Sequence, residues 1–224
     1  MKHILTILLL LASALGALAD CVTTPCSQGI DKIADCPDDG CTQTEGHQFD
    51  PELDKRKNVR SDDQQPVLRS IRWIKGLPDP TNMTECGSRD ELKQVGEGQK
   101  IIVVAWALTA KKGGPESCNC DLPNQADADN HIVLVDPGVQ NPTLANAECR
   151  SVTAEFTPRV RFDHPHFTRV KLNRLIDPNW KASESTANGK LLVRVTGLLM
   201  FDSKHFSIRC RQWCVIPIGK YILF

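Results

Sequence analysis

Neither sign of charge is in excess in this chain: 27 Lys and Arg face 27 Asp and Glu, for a formal net charge of zero. That removes the long-range field with which many proteins grip nucleic-acid phosphates, while leaving room for a local basic patch. Aromatic residues are scarce too, with one tyrosine, four tryptophans and seven phenylalanines. Single-strand binders need aromatic platforms beside basic grooves, and several of these rings fall at inward-looking positions. No phosphate-cradling glycine loop, zinc-protease motif or serine-hydrolase motif is present. No internal repeat is visible, and no apolar run, that of the N-terminus included, is long enough to span a bilayer as a stable anchor.

Cysteine, by contrast, is plentiful. The chain opens with Lys2 and His3, an apolar run from Ile4 to Leu11, and the small-residue site Ala17-Leu18-Ala19. This pattern reads as a signal peptide over residues 1–19, with Asp20 as the mature N-terminus and a periplasmic or extracellular destination. Cys21 invites a lipoprotein reading, but the acidic Asp20 before it fits a lipid-attachment site poorly. All ten cysteines lie beyond the expected cleavage point, and an even number in an exported chain reads first as disulfides. Composition leaves the connectivity open. The short spacings suggest two local staples, Cys21 with Cys26 and Cys36 with Cys41, the latter across a Pro-Asp-Asp-Gly turn.

Residues 20–65 form a polar, cysteine-rich segment with little hydrophobic periodicity, one that leans on cross-links for its order. Within it, Asp50 is placed to cap a short helix through Lys57. The basic run Lys55 to Arg60 reads as a solvated face or, alternatively, as a contact for an anionic partner. Residues 66–99 connect to the rest and carry the sequon Asn82-Met83-Thr84. From residue 100 to 224 the pattern turns to strands: Ile101–Leu108, His131–Val135, Ser151–Thr157, Lys190 to about Phe201, and Gln212–Leu223. In the third, Val152, Ala154 and Phe156 face one way and Glu155 the other. A helix is expected from Asp163-His164-Pro165 to the Asp177-Pro178 stop. Gly197 suggests a bulge or tight bend in a curved sheet, and Pro217 with Gly219 a kink. Three strands, a helix and two more strands is the order of a five-stranded oligonucleotide/oligosaccharide-binding (OB) barrel, mainly β with one helix. An α+β sandwich is the alternative.

Chemistry-bearing residues gather in one corner: Glu116, Cys118, Cys120, Asp129 and His131. Two thiolates and an imidazole suit zinc or copper, so Cys118, Cys120 and His131 are a candidate metal set. In an extended segment the two thiols would share a side, about 6.6 Å apart at Cα. A second reading makes one cysteine a nucleophile, with His131 as base and Asp129 or Glu116 as orienter. The plainest reading pairs Cys118 and Cys120 with cysteines such as Cys86, Cys149, Cys210 or Cys214, and needs no cofactor. His164, His166 and His205 read as cap, surface or solvated groups. Arg159, Arg161, Arg169, Lys171 and Arg174 form a candidate basic patch around the helix start.

The blocks Ala110 to Cys120 (ending Glu-Ser-Cys-Asn-Cys), His131 to Leu134, Glu155 to Arg161 and Val193 to Asp202 resemble, in this order, a family of uncharacterised exported bacterial proteins with an OB-like core. Leu53 to Arg60 resembles a short element ahead of that core. The resemblance covers roughly the C-terminal 120 residues and implies a fold and an export route, with no established activity. One departure stands out. Where the resemblance implies a closing Trp-Glu-Ile-His-Pro strand, this chain has Trp213-Cys214-Val215-Ile216-Pro217, a thiol and an aliphatic group in place of acid and imidazole.

The expected function is that of an exported, disulfide-stabilised binding or interaction module; sequence leaves its partner open, with another envelope or extracellular protein as the candidate. The alternatives are a metal- or thiol-dependent enzyme centred on Glu116, Cys118, Cys120 and His131, and single-strand nucleic-acid binding. The last rests on fold analogy alone.

Overall fold

The computed structural model describes residues 21–27, 29–81, 86–124, 126–147, 149–161, 164, 167–203, 213–218 and 222–223. Residues 1–19, expected to be a signal peptide, the sequon asparagine Asn82, Asp163 and Pro165 of the expected helix start, His166, His205, Cys210 and Gly219 lie outside them.

In chain order the elements are α1 (Pro51–Lys57), β1 (Val67–Leu68), α2 (Ile71–Lys75), α3 (Asp90–Gln94), β2 (Lys100–Lys112), β3 (Asn130–Val135), α4 (Leu144–Ala147), β4 (Ser151–Phe156), α5 (Pro158–Arg161), α6 (Arg169–Ile176), β5 (Leu191–Phe201), β6 (Trp213–Pro217) and β7 (Ile222–Leu223). The fold is mainly β. Antiparallel β2–β3 and β3–β4 pairs, a parallel β4–β6 pair and an antiparallel β6–β5 pair close through β5 back onto β2. This is a closed five-stranded barrel of the OB-like order, so each of its main edges finds a partner. β1 adds a short parallel strand beside Ile101 and Ile102, and β7 pairs with β5.

Alternation builds the interior. Ile101, Val103, Ala105 and Ala107 of β2, Ile132 and Leu134 of β3, Val152, Ala154 and Phe156 of β4, Val193 and Val195 of β5, and Trp213 and Val215 of β6 are all buried in one cluster. A register shift between Ala107 and Thr109 marks a bulge in β2. Asn173 of α6 is buried there, donating to the Ala110 carbonyl (2.9 Å) and accepting from the Ala110 amide (2.7 Å), which fixes the helix to the barrel end. That helix begins later than Asp163-His164-Pro165 suggests. Thr168 is its cap, its side chain accepting from the Lys171 amide, because a hydroxyl at this position satisfies an amide the first turn leaves free.

Gly197 sits where β5 runs between β2 and β6, opposite Ile101 on one side and Pro217 on the other. A Cβ there would lie 2.4 Å from the Ile216 carbonyl oxygen and 2.6 Å from Val215 Cγ1. The glycine therefore marks a close approach of strands.

The N-terminal segment wraps onto the outside of this barrel. Asp50 caps α1, Oδ1 accepting from the amides of Glu52 (2.9 Å) and Leu53 (3.1 Å). Leu53 then packs α1 against the outward side chains Leu198, Met200, Cys214, Ile216 and Ile218. Buried Arg89 bridges Glu97, the Phe201 carbonyl and, at 3.6 Å, Asp50, tying the connecting segment to both. Disulfides tie this segment covalently, three of them with both cysteines among the described residues: Cys21–Cys86, Cys26–Cys41 and Cys36–Cys120. The local staples Cys21–Cys26 and Cys36–Cys41 are thus corrected. Cys26 and Cys41 meet because the short bridge between Pro25 and Thr42 sets their segments side by side. Cys36 is drawn instead to the barrel. No helix among the described residues is long and apolar enough to cross a membrane.

Candidate functional site

The corner forms where the β2–β3 connection folds back over the outer face of the barrel. Its Glu-Ser-Cys-Asn-Cys block is not extended. Ser117–Asn119 is a single 3-10 turn, closed by the Asn119 amide on the Glu116 carbonyl and the Cys120 amide on the Ser117 carbonyl, both 2.9 Å. Cys120 follows with a left-handed backbone (φ 55°), so the two thiols diverge. Cys120 joins Cys36, while Cys118 is free and buried. A metal set of Cys118, Cys120 and His131 is corrected on that ground, since a disulfide sulfur is no thiolate. The pairing of Cys118 and Cys120 with Cys86, Cys149, Cys210 or Cys214 is corrected likewise: Cys86 holds Cys21, and Cys214 is free and buried. Cys149 is disulfide-bonded. Cys41 and Cys120 bring their sulfurs to 3.1 Å, stacking two disulfides under the turn.

Around this turn the N-terminal segment and barrel interlock. The Cys41 amide donates to the Ser117 carbonyl (3.1 Å), and the Asn58 side chain donates to the carbonyls of Asp38 (2.9 Å) and Cys118 (2.8 Å). Arg159 donates to the carbonyls of Cys36 (2.6 Å) and Pro37 (2.9 Å) and pairs with Asp38 (3.1 Å). Arg161 donates to those of Ala126, Ala128 and Phe156. Both guanidinium groups are buried, and burial lowers their pKa values. The basic patch is therefore corrected: Arg159 and Arg161 are internal clamps, because backbone carbonyls of two loops would otherwise be buried without donors. Arg169 leaves it too, stacking over Trp180 at 5.0 Å and donating to the Glu184 carbonyl. Lys171 and Arg174 stay exposed.

Lys57 is the residue that sequence reasoning missed. It lies four positions after Leu53 on the buried side of α1, and its ammonium reaches Glu116 at 2.7 Å and Glu155 at 3.0 Å with only 7% of its side chain exposed. The signal was present: position 57 falls on the helix face that Leu53 buries. Glu155, the outward residue of β4, stands in register opposite His131 of β3. His131 in turn reaches Glu116 Oε1 at 3.7 Å. Asn119 donates to Asp129 Oδ1 at 2.7 Å. Corner residues Glu116, Asp129 and His131 thus do come together, joined by Lys57, Glu155 and Asn119.

The electrostatics follow from burial and proximity. Burial alone would lower Lys57 and raise Glu116, but their mutual attraction wins. Lys57, facing Glu116 and Glu155, is raised well above an ordinary lysine, and Glu116 is held well below the usual carboxylate range by Lys57 and His131. Asp129, wholly buried and facing Glu116, is raised to about 6. Burial opposes a charge on His131, yet Glu116, Glu155 and Asp129 raise it to about 9. Burial, helped by Asp129 and Glu116, pushes the Cys118 thiol up, which leaves it a poor nucleophile. Cys214 is raised the same way.

Position 214 lies opposite Thr153 in the β4–β6 register, on the outer face that also carries Glu155. Cys214 and Ile216 pack under Leu53. No family model, curated protein or solved structure matches this chain.

Proposed function

We propose that the chain is an exported, disulfide-locked binding or interaction module whose ligand meets the corner around Glu116 and His131. One observation carries the reading. Glu116, Asp129 and Glu155 are gathered beside a single lysine and a single histidine, and His131 (27%) and Glu116 (15%) present the most side chain to the outside. Such a corner is pre-organised, because disulfides and buried clamps hold it before any ligand arrives. Its excess of carboxylates favours a cationic group. Export is supported by the disulfides, which persist in oxidising compartments, and by the signal-like start. The resemblance to exported OB-like proteins points the same way.

The thiol-enzyme alternative loses its nucleophile, with Cys120 cross-linked and Cys118 buried. Nucleic-acid binding is disfavoured because α1 covers the outer side of β5 and β6, and its Lys57 is held by Glu155 of β4 and by Glu116 ahead of β3, which sets carboxylates near where OB barrels bind strands. Thermal melting of the native chain tests the proposal, with panels of cationic peptides and amines, oligosaccharides and single-stranded oligonucleotides at low salt. A cationic ligand should raise the Tm, and Glu116→Gln should abolish the shift. Tight oligonucleotide binding, or stoichiometric alkylation of Cys118 in the native protein, would overturn it.

A further inference from the structure

The corner contains a donor set that neither thiol joins. Glu116, Asp129 and His131 each bring one ligand atom to within 4.8 Å of the other two. Each carboxylate has one oxygen tied down: Lys57 holds Glu116 Oε2 at 2.7 Å, and Asn119 holds Asp129 Oδ1 at 2.7 Å. Asp129 Oδ2 and His131 Nε2 are buried with no hydrogen-bond partner, and Glu116 Oε1 stands 3.7 Å from that imidazole nitrogen. A fully buried carboxylate oxygen without a donor is costly unless something occupies it.

Space and charge agree with the donors. A side chain at position 113 would place its Cβ 3.2 Å from His131 Nε2 and 3.3 Å from Asp129 Cβ, so the glycine keeps the approach to these atoms free. Three carboxylates against one ammonium leave two negative charges, which one divalent ion would balance once it has displaced the imidazole proton. Around an ion with bonds of about 2.1 Å, tetrahedral ligand atoms lie roughly 3.4 Å apart. The Glu116–His131 separation is already near that value, and side-chain rotation would bring Asp129 in.

We infer that Glu116, Asp129 and His131 form a site for a divalent transition-metal ion, with Lys57 and Asn119 orienting the two carboxylates. Oxygen and imidazole donors without sulfur suit zinc or manganese, and partners that fix the non-coordinating oxygens are the usual support of such sites. Three protein ligands leave a further position for water or for a ligand's donor atom. The inference rests on the corner being the binding site and names what it binds.

Equilibrium dialysis of the full-length, oxidised chain against zinc(II) and manganese(II), followed by metal analysis, tests it. One ion per chain is expected for at least one metal, with affinity reduced at least tenfold in Asp129→Asn and in Glu116→Gln. Near-UV circular dichroism checks that each variant is folded, and Glu116→Gln, at a partly exposed position, keeps the test alive if Asp129→Asn does not fold. Cobalt(II) should give ligand-field bands with no thiolate charge-transfer. No bound ion, unchanged affinity in a folded variant, or a thiolate band would overturn the assignment. A cationic-ligand shift that Glu116→Gln abolishes, seen in protein that binds no metal, would overturn it too while leaving the binding-module reading standing.

Discussion

Replacing Lys57 by methionine is the most direct challenge to the corner's electrostatics. Methionine keeps most of the aliphatic stem and its packing, so the change removes mainly charge. Glu116 and Glu155 would lose an ammonium at 2.7 and 3.0 Å, in a place where Glu155 is almost wholly buried. Removing one partner of a buried ion pair typically costs about 3–5 kcal/mol, because the other charge stays behind without compensation. The pH dependence gives a second readout. In the wild type the Glu116 carboxyl is held below its ordinary value, so its contribution is present above about pH 4.5 and is lost only as pH falls through that depressed value. Without Lys57, Glu116 keeps only His131 as a cationic partner against its burial, so its carboxyl should protonate more readily and acidification should stabilise the variant relative to wild type. Urea unfolding of the oxidised proteins should show a gap of about 3–5 kcal/mol at pH 7, shrinking towards pH 5. Adding Glu155→Gln should recover part of the loss. A gap below about 1 kcal/mol, the scale of an exposed pair, or a gap independent of pH, would refute the reasoning.

Three further outcomes are expected. Gly197→Ala should destabilise the barrel by at least about 2–3 kcal/mol, the range for overpacking a tight interior, since its Cβ would meet the Ile216 carbonyl at 2.4 Å; a thermal melt within a degree of wild type would count against the close approach. Alkylation followed by peptide mapping, without reductant, should label Cys118 and Cys214 only after denaturation, and rapid labelling of the native chain would contradict their burial. In chelator-treated protein, the contribution of His131, raised to about 9, should be fully present below about pH 6.5 and lost as pH rises through 9. Stability should therefore fall over that window in wild type and less steeply in His131→Gln, and parallel profiles would show that the histidine is not charged in the folded state.

Local pattern was enough for the barrel. Two-residue alternation in Ser151 to Phe156 fixes which side chains enter the core, and the strand-strand-strand-helix-strand-strand order leaves few ways to close a sheet. The Asp50 cap was equally readable, because a side-chain acceptor before a helical turn acts within three residues. What failed were statements about position in space. Arg159 and Arg161 read as surface charge, since nothing local says that loops 36–38 and 126–128 need donors. Lys57 was lost in a basic run for the same reason: its partners are 59 and 98 residues away.

The cysteines divide along the same line. Their number and the signal-like start argue for disulfides, because compartment chemistry depends on composition. Their pairing does not follow from spacing, because a disulfide joins whichever sulfurs the fold brings within bonding geometry, and here the barrel brings Cys120 to Cys36 across 84 residues. The sequence by itself determined the barrel strands, the core faces and the residues from which a polar corner would be drawn. Only the tertiary structure decided that Cys118 and Cys120 part company, and that Lys57, Glu116, Asp129, His131 and Glu155 meet. Local preferences act over a few residues, whereas a site is defined by distances between segments that chain separation does not set.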